Sequence, residues 1–256
     1  MDDVIVISAF GDNFIYLYRY DAGKAFAVDP ADSSTVLDVL AEKKLTLTMI
    51  LNTHHHYDHC GGNRELKKKT GCAIIGGDSL RVPGIDRVVK DADIINAGDT
   101  EIQVIGTPGH TRNDVCFYLP TPKNQNGGIV FTGDTLFVGG CGRVFECQPE
   151  QMWQSLMRLA QLPGKTRVYC GHDYTVENYE FALTIEPGNT DVKERLAEVK
   201  AMSNSHKPTV PSTIYQQRKL NPFLRADTTQ IKEALAMPQS PAVEIFAELR
   251  RRKDVF

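Results

Sequence analysis

The run Thr53-His54-His55-His56-Tyr57-Asp58-His59 constrains this chain more than any other feature, because it sets imidazoles and a carboxylate directly behind the apolar segment 47–51. Imidazole nitrogens and carboxylate oxygens are donors that a divalent cation such as zinc accepts. His54 and His56 are two residues apart. In extended backbone such residues point the same way, so both can reach one ion. Asp58 and His59 follow where a turn redirects side chains toward a second ion, and Gly61-Gly62 lets the backbone turn closely into the next helix.

Three later segments repeat one pattern: an apolar run, a glycine, then one ligand-type side chain. Thr107-Pro108-Gly109-His110-Thr111 supplies His110, Thr132-Gly133-Asp134-Thr135 supplies Asp134, and Gly171-His172-Asp173 supplies His172. Loops at strand ends converge on one edge of a sheet, where binding residues sit on a rigid scaffold. The residues divide into His54, His56 and His110 for one ion and Asp58, His59 and His172 for the other. Asp134, with two carboxylate oxygens, is suited to bridge them. Ions about 3.5–4 Å apart share a water as well as a carboxylate, and such a water loses its proton near neutral pH. The expectation is hydrolytic chemistry from a hydroxide held between two Lewis acids, with Asp58 and Asp134 as the catalytic carboxylates and Asp58 orienting the hydroxide. Zinc is the expected metal; iron and manganese accept the same donors.

A histidine beside a strand is more often a hydrogen-bonding group than a ligand. That plainer reading holds for His55, expected to face away from the ions, and for His206, in a polar stretch apart from any motif; the other five of the seven histidines fall in the ligand pattern. Cys60 reads as a small buried residue.

Composition narrows the partners. A net charge of −3 gives no general surface for nucleic acid or anionic membrane, since phosphate backbones are met by an excess of Lys and Arg. The N-terminus MDDVIVISAF has acids where a signal peptide has a basic segment, and no stretch approaches the roughly 20 apolar residues of a membrane span. The six cysteines form no CxxC pair, which points to the cytoplasm, with an organellar matrix as the other reducing setting. A monomer acting on a small molecule is expected.

Strands are predicted over 4–8, 14–18, 24–28, 47–51, 73–75, 102–107, 115–119, 129–132 and 167–170, and helices over 34–43, 63–69 and 150–162, the last with Met152, Leu156 and Leu159 on one face. Residues 121–128 read as a polar loop. After Tyr174 the pattern turns helical over 174–185, 191–204, 229–236 and 241–253. A boundary is expected near Asp173, giving 1–173 and 174–256; one continuous domain with a helical tail is the alternative. Strands flanked by helices indicate an α/β or α+β arrangement of two sheets, or one mixed sheet, covered by helices.

The THxHxDH run with its later GH, GD and GH resembles the metallo-β-lactamase superfamily over roughly 1–173. That implies an αββα sandwich with the metals at one edge of the two sheets. Thr132-Gly133-Asp134-Thr135-Leu136-Phe137 with Gly140-Cys141-Gly142-Arg143 resembles glyoxalase II. So do Tyr169-Cys170-Gly171-His172-Asp173-Tyr174-Thr175, Glu186-Pro187-Gly188-Asn189, Pro211-Ser212-Thr213, Asn221-Pro222-Phe223 and Arg250-Arg251-Arg252-Lys253-Asp254. The resemblance spans essentially the whole chain, including a C-terminal helical substrate-binding domain. It implies hydrolysis of S-D-lactoylglutathione to D-lactate and glutathione in methylglyoxal detoxification, with Arg143, Tyr174, Arg250 and Lys253 at positions that hold glutathione. The family often has Lys at 143, and Arg keeps the charge. It usually has Tyr at 145, where Phe145 lacks a hydroxyl worth about 0.5–1.5 kcal/mol, which predicts weaker glutathione binding or a different thiol carrier. Cys141 is expected to be structural. The competing readings are a lactonase or another thioesterase on this fold, a glutathione persulfide dioxygenase with one iron, and a non-catalytic binding protein. The last is disfavoured because all seven ligand-type residues are present.

Overall fold

The computed structural model describes residues 3–120 and 127–256; most of the polar loop expected at 121–128 lies outside the described residues. Two six-stranded sheets carry the fold. The first runs in spatial order β1 (Val4–Ala9), β2 (Asn13–Asp21), β3 (Lys24–Val28), β4 (Thr46–Asn52), β5 (Ala73–Gly76) and β6 (Arg87–Val88). The second comprises β7 (Ile94–Ala97), β8 (Thr100–Gly106), β9 (Val115–Leu119), β10 (Ile129–Gly133), β13 (Arg167–Cys170) and β14 (Ser212–Thr213), with β14 at the far edge beside β13. A small hairpin, β11 (Leu136–Phe137) and β12 (Gly140–Cys141), follows β10.

Period-two alternation assigns each side chain a layer. In β2, Phe14 and Tyr16 enter the core between the sheets, while Ile15 and Leu17 enter the outer core under the helices. In β9, Phe117 faces between the sheets, and Cys116 and Tyr118 face outward. The inter-sheet core holds Phe26, Leu51, Val104, Phe131 and Tyr169, and Tyr16 meets Phe131 and Tyr169 with ring centroids 5.3 Å apart in each pair. Strands covered on both faces read as unbroken apolar runs, which is why β9 and β10 show no polar face.

Helices α1 (Ser33–Lys43) and α3 (Asn63–Thr70) cover the first sheet, burying Val36, Leu40 and Leu66. Asp32 caps α1 by accepting from Ser34 N and Thr35 N. Helix α4 (Pro149–Ala160) covers the second sheet with Met152, Leu156 and Leu159 fully buried. The C-terminal part contains α5 (Thr175–Ile185), α6 (Thr190–Asn204), α7 (Ile214–Leu220), a 3-10 turn (Pro222–Arg225), α8 (Thr229–Ala234) and α9 (Ala242–Lys253). Tyr179 of α5 and Val192 and Val199 of α6 join the inter-sheet core, whereas Phe246 and Leu249 of α9 pack with α4. β14 pairs antiparallel with β13, Val168 opposite Ser212. The αββα sandwich thus has a helical C-terminal region fastened to its second sheet.

Candidate metal and substrate site

The strand-end loops meet at one edge of the sandwich. β4 leads directly to His54 and His56, and a one-turn helix α2 (Tyr57–Cys60) carries Asp58 and His59. His54 Nε2 lies 3.1 Å from His56 Nδ1, and His110 Nε2 lies 3.0 Å from the same atom. Donors placed tetrahedrally at about 2.0–2.1 Å from one ion stand roughly 3.3 Å apart, so this spacing suits a single cation. A second cluster adjoins it. His59 Nε2 and His172 Nε2 are 3.2 Å apart, and Asp58 Oδ2 is 3.6 Å and 3.4 Å from them. Asp134 stands between the two: its Oδ2 is 3.5 Å from His110 Nε2 and 3.4 Å from His172 Nε2. Its Oδ1 is buried with no hydrogen-bond partner among the described residues, 3.4 Å from His59 Nε2. A carboxylate oxygen buried in this way among imidazole nitrogens is unfavourable unless a positive charge meets it. The donor set therefore fits divalent cations: among the described residues the three-residue groupings are His54–His56–His110, Asp58–His59–His172 and Asp29–His54–His59, the last sharing its two imidazoles with the other two.

Bare backbone makes this convergence possible. A Cβ at Gly171 would stand 2.4 Å from Asp134 Oδ1, and one at Gly133, whose φ is +46°, would stand 2.2 Å from Thr53 Oγ1.

The outward-facing nitrogens and carboxylates are also held. His59 Nδ1 lies 3.0 Å from Asp29 Oδ2, and buried Asp29 accepts from Thr53 N at 2.8 Å and Thr53 Oγ1 at 2.6 Å. His110 Nδ1 donates to the Arg143 carbonyl at 2.8 Å, and His172 Nδ1 lies 3.2 Å from Asp12 Oδ1. Asn13 Nδ2 donates to Asp58 O at 2.9 Å and Oδ2 at 3.3 Å. Such partners fix the tautomer and ring orientation of ligating imidazoles. Sequence reasoning missed Asp12, Asn13 and Asp29. Asp29 nevertheless occupies the same strand-end position as the other site loops, directly after β3.

Charge is unevenly spread. Burial, with neighbouring imidazoles, pushes His54 well below the ordinary histidine range and brings His56 to about 4, so both offer neutral lone pairs. A hydrogen bond from His172 holds Asp58 well below the usual carboxylate range. Burial pushes Asp134 up, but His59 and His172 hold it low. Burial also opposes the charged form of His172, yet Asp134, then Asp58 and Asp12, raise it to about 11. The appetite of His172 for a proton marks where this site favours positive charge.

A cavity of about 460 Å³ opens on this edge, and Arg143, Phe145, Tyr174, Arg250 and Lys253 all line it together with His56, Asp58, His110, Asp134 and His172. Tyr174 stacks on His172 at 4.9 Å with 4° between the rings. Phe145 lies largely exposed, its ring 5.1 Å from His110 and 6.0 Å from His56. Arg250 is buried, donating from Nη1 to the Cys141 carbonyl at 2.8 Å and from Nε to Asp254 at 3.0 Å. Arg143 Nε is 3.5 Å from the same Asp254 oxygen, and Lys253 pairs with Glu177. His55 turns elsewhere, its Nε2 3.8 Å from Glu146. His206 is exposed just beyond α6. Cys60 is buried, with Sγ 3.1 Å from the His55 carbonyl. Cys141 lines the cavity too, and burial raises its thiol to about 11, with Arg250 opposing, so it stays a thiol.

Residues 9–172 match the family model of the metallo-beta-lactamase superfamily, and residues 173–256 match that of the hydroxyacylglutathione hydrolase C-terminus. The hydroxyacylglutathione hydrolase of Methylococcus capsulatus is 45% identical over 259 residues, covering 100% of this chain and 99% of that protein. That of Rhodospirillum rubrum is 46% identical, covering 99% and 98%. This chain belongs to the hydroxyacylglutathione hydrolase family. Solved structures agree on the fold: ETHE1 from Myxococcus xanthus superposes with a TM-score of 0.66 at 24% identity, covering 98% of each chain. BJP-1, a subclass B3 metallo-beta-lactamase of Bradyrhizobium japonicum, gives 0.60 at 18% identity, covering 92% of this chain and 93% of that one. In this hydroxyacylglutathione hydrolase family member the cavity therefore draws residues from both matched segments.

Proposed function

We propose that this chain hydrolyses glutathione thioesters of 2-hydroxy acids, turning S-D-lactoylglutathione into glutathione and D-lactate in the removal of methylglyoxal. The observation that carries this reading is the joint lining of one cavity. The ligand-type side chains come from residues 1–173, and Tyr174, Arg250 and Lys253 come from 174–256, within the segment 173–256 matched by the hydroxyacylglutathione hydrolase C-terminus. On this reading the first part is catalytic and the second binds substrate.

Two divalent cations, zinc foremost and iron or manganese as alternatives, would be held by His54, His56 and His110 and by Asp58, His59 and His172, with Asp134 serving both. Bound there, such cations activate water and polarise a thioester carbonyl. The protein's own groups do the rest. Asp58, the more exposed carboxylate, orients the attacking water while Asn13 holds it in place. Arg143, Arg250 and Lys253 present positive charge to the carboxylates of the glutathione part. The Tyr174 hydroxyl, kept protonated by burial and nearby carboxylates, is a hydrogen-bond donor beside them. Phe145 offers a ring face without a hydroxyl. The leaving thiolate has a parent pKa of about 8.5, so expulsion proceeds without a dedicated acid.

The proposed setting is the cytoplasm, as a monomer; all six cysteines are unpaired, and no helix among the described residues is long and apolar enough to cross a membrane. The test is metal analysis of the purified protein together with parallel assays on S-D-lactoylglutathione and a lactone. About two equivalents of metal and thioester hydrolysis lost on chelation and restored on metal addition are expected. A metal-replete protein that leaves the thioester intact overturns the reading.

A further inference from the structure

Lys253 is set unusually for a cation facing a cavity. Its side chain is 7% exposed, and its ammonium lies 4.9 Å from the Phe256 ring centroid and 5.7 Å from that of Phe181. Burial lowers its pKa, and the carboxylate of Glu177 pulls it back up. Glu177 differs sharply from its partner. It sits in the first turn of α5, lines the same cavity, and its side chain is 58% exposed. One ion pair thus ties the start of α5 to the end of α9.

The two members of the pair face different penalties on separation. A buried ammonium is strongly destabilised without a counter-charge. An exposed carboxylate returns to water with little loss. A ligand carboxylate that arrives beside Lys253 can take the place of Glu177 without changing the net charge around the ammonium. Arg250 is built otherwise, because a backbone carbonyl holds part of its guanidinium.

We propose that Glu177 is a specificity-determining competitor: it holds Lys253 in place in the free protein and yields that contact to the carboxylate of the substrate's thiol carrier, so it sets how tightly acidic thiol carriers bind. This rests on the glutathione-thioester reading above.

The experiment compares wild type with Glu177→Gln and Glu177→Asp in the metal-replete protein. The substrates are S-D-lactoylglutathione and the same thioester with its glycine carboxylate converted to the amide. S-methylglutathione binding is measured in parallel by calorimetry. In Glu177→Gln, KM for the acid substrate and Kd for S-methylglutathione should fall about two- to five-fold, the range an exposed ion pair supplies, while KM for the amide moves little. Glu177→Asp, with its carboxylate drawn back by one methylene, should fall between. A rise in KM and Kd in Glu177→Gln, or equal shifts for acid and amide, overturns the proposal. Wild type that hydrolyses neither thioester defeats the functional reading instead, and the calorimetric comparison still decides whether Glu177 competes.

Discussion

His110 and Lys253 line the same cavity but are secured in different ways. His110 is pinned by a main-chain carbonyl and its neighbour His59 by Asp29, which is 3% exposed. Lys253 is held by Glu177, whose side chain is 58% exposed, and Arg143 by Asp254, at 39%, which it shares with Arg250, itself also anchored on the Cys141 carbonyl. An ion demands donors placed to within a few tenths of an ångström, and rigid buried partners deliver that. A flexible peptide-like ligand needs charge that can change partners, and solvent-facing carboxylates allow it. Asp12, 48% exposed beside His172, is a looser support on the otherwise rigid side.

Substitutions can break or sharpen this contrast. Asp134→Ala removes the group between the two clusters; activity should fall about a thousand-fold or more, several kcal/mol at about 1.4 kcal/mol per decade, and bound metal should drop, as read by turnover and elemental analysis. Turnover that survives would refute the shared-carboxylate arrangement. Asp29→Ala should weaken metal retention by about 10–100-fold in chelator competition, and Asp12→Ala by less. Equal effects would mean that burial of the partner does not set the grip.

Rigidity on the His110 side carries a pH signature. Burial raises Asp114 to about 8, against the hydrogen bonds it accepts from Thr111. Its folded pKa lies above an unfolded value of about 3.9, so the folded form binds the proton more tightly and stability declines as pH rises from about 4 through 8. Asp114→Asn should flatten that decline, raising the melting temperature by a few degrees above pH 8 and leaving it nearly unchanged at pH 5. The smallest effect belongs to the rim: Phe145→Tyr should lower KM for the glutathione thioester by no more than about ten-fold, the worth of one hydroxyl hydrogen bond. No change would mean that the exposed ring at 145 stands clear of the thiol carrier.

The ligand-type residues were legible because His54, His110, Asp134 and His172 each follow an apolar strand and a small residue, with His56, Asp58 and His59 close behind the first, a pattern that survives without knowledge of the fold. Their supports were not. Asp29 holds His59 across thirty positions of sequence, and Asp12 reaches His172 across 160, and no periodicity records such pairings. The long strands and most helices were readable from apolar spacing. Strands of two residues such as β6, β11, β12 and β14 are too short to show alternation, and Ile94–Ala97 and the helices Tyr57–Cys60 and Ile214–Leu220 also escaped, defined as they are by tertiary pairing and local caps. Nothing in the sequence sets Glu177 apart from any other acidic residue at a helix start, because only packing reveals that its partner is a buried lysine.

The strand β14 has a bearing on how the chain is made. β13 supports the His172 loop and is flanked by β10 on one side and β14 on the other. During synthesis every ligand-type residue emerges from the ribosome before residues 212–213 do. Until that late segment arrives, β13 is an open edge able to pair with another nascent chain. Translation that stops soon after residue 173 would therefore yield a fragment bearing every ion-binding side chain and a sticky sheet margin, prone to aggregate before it could work.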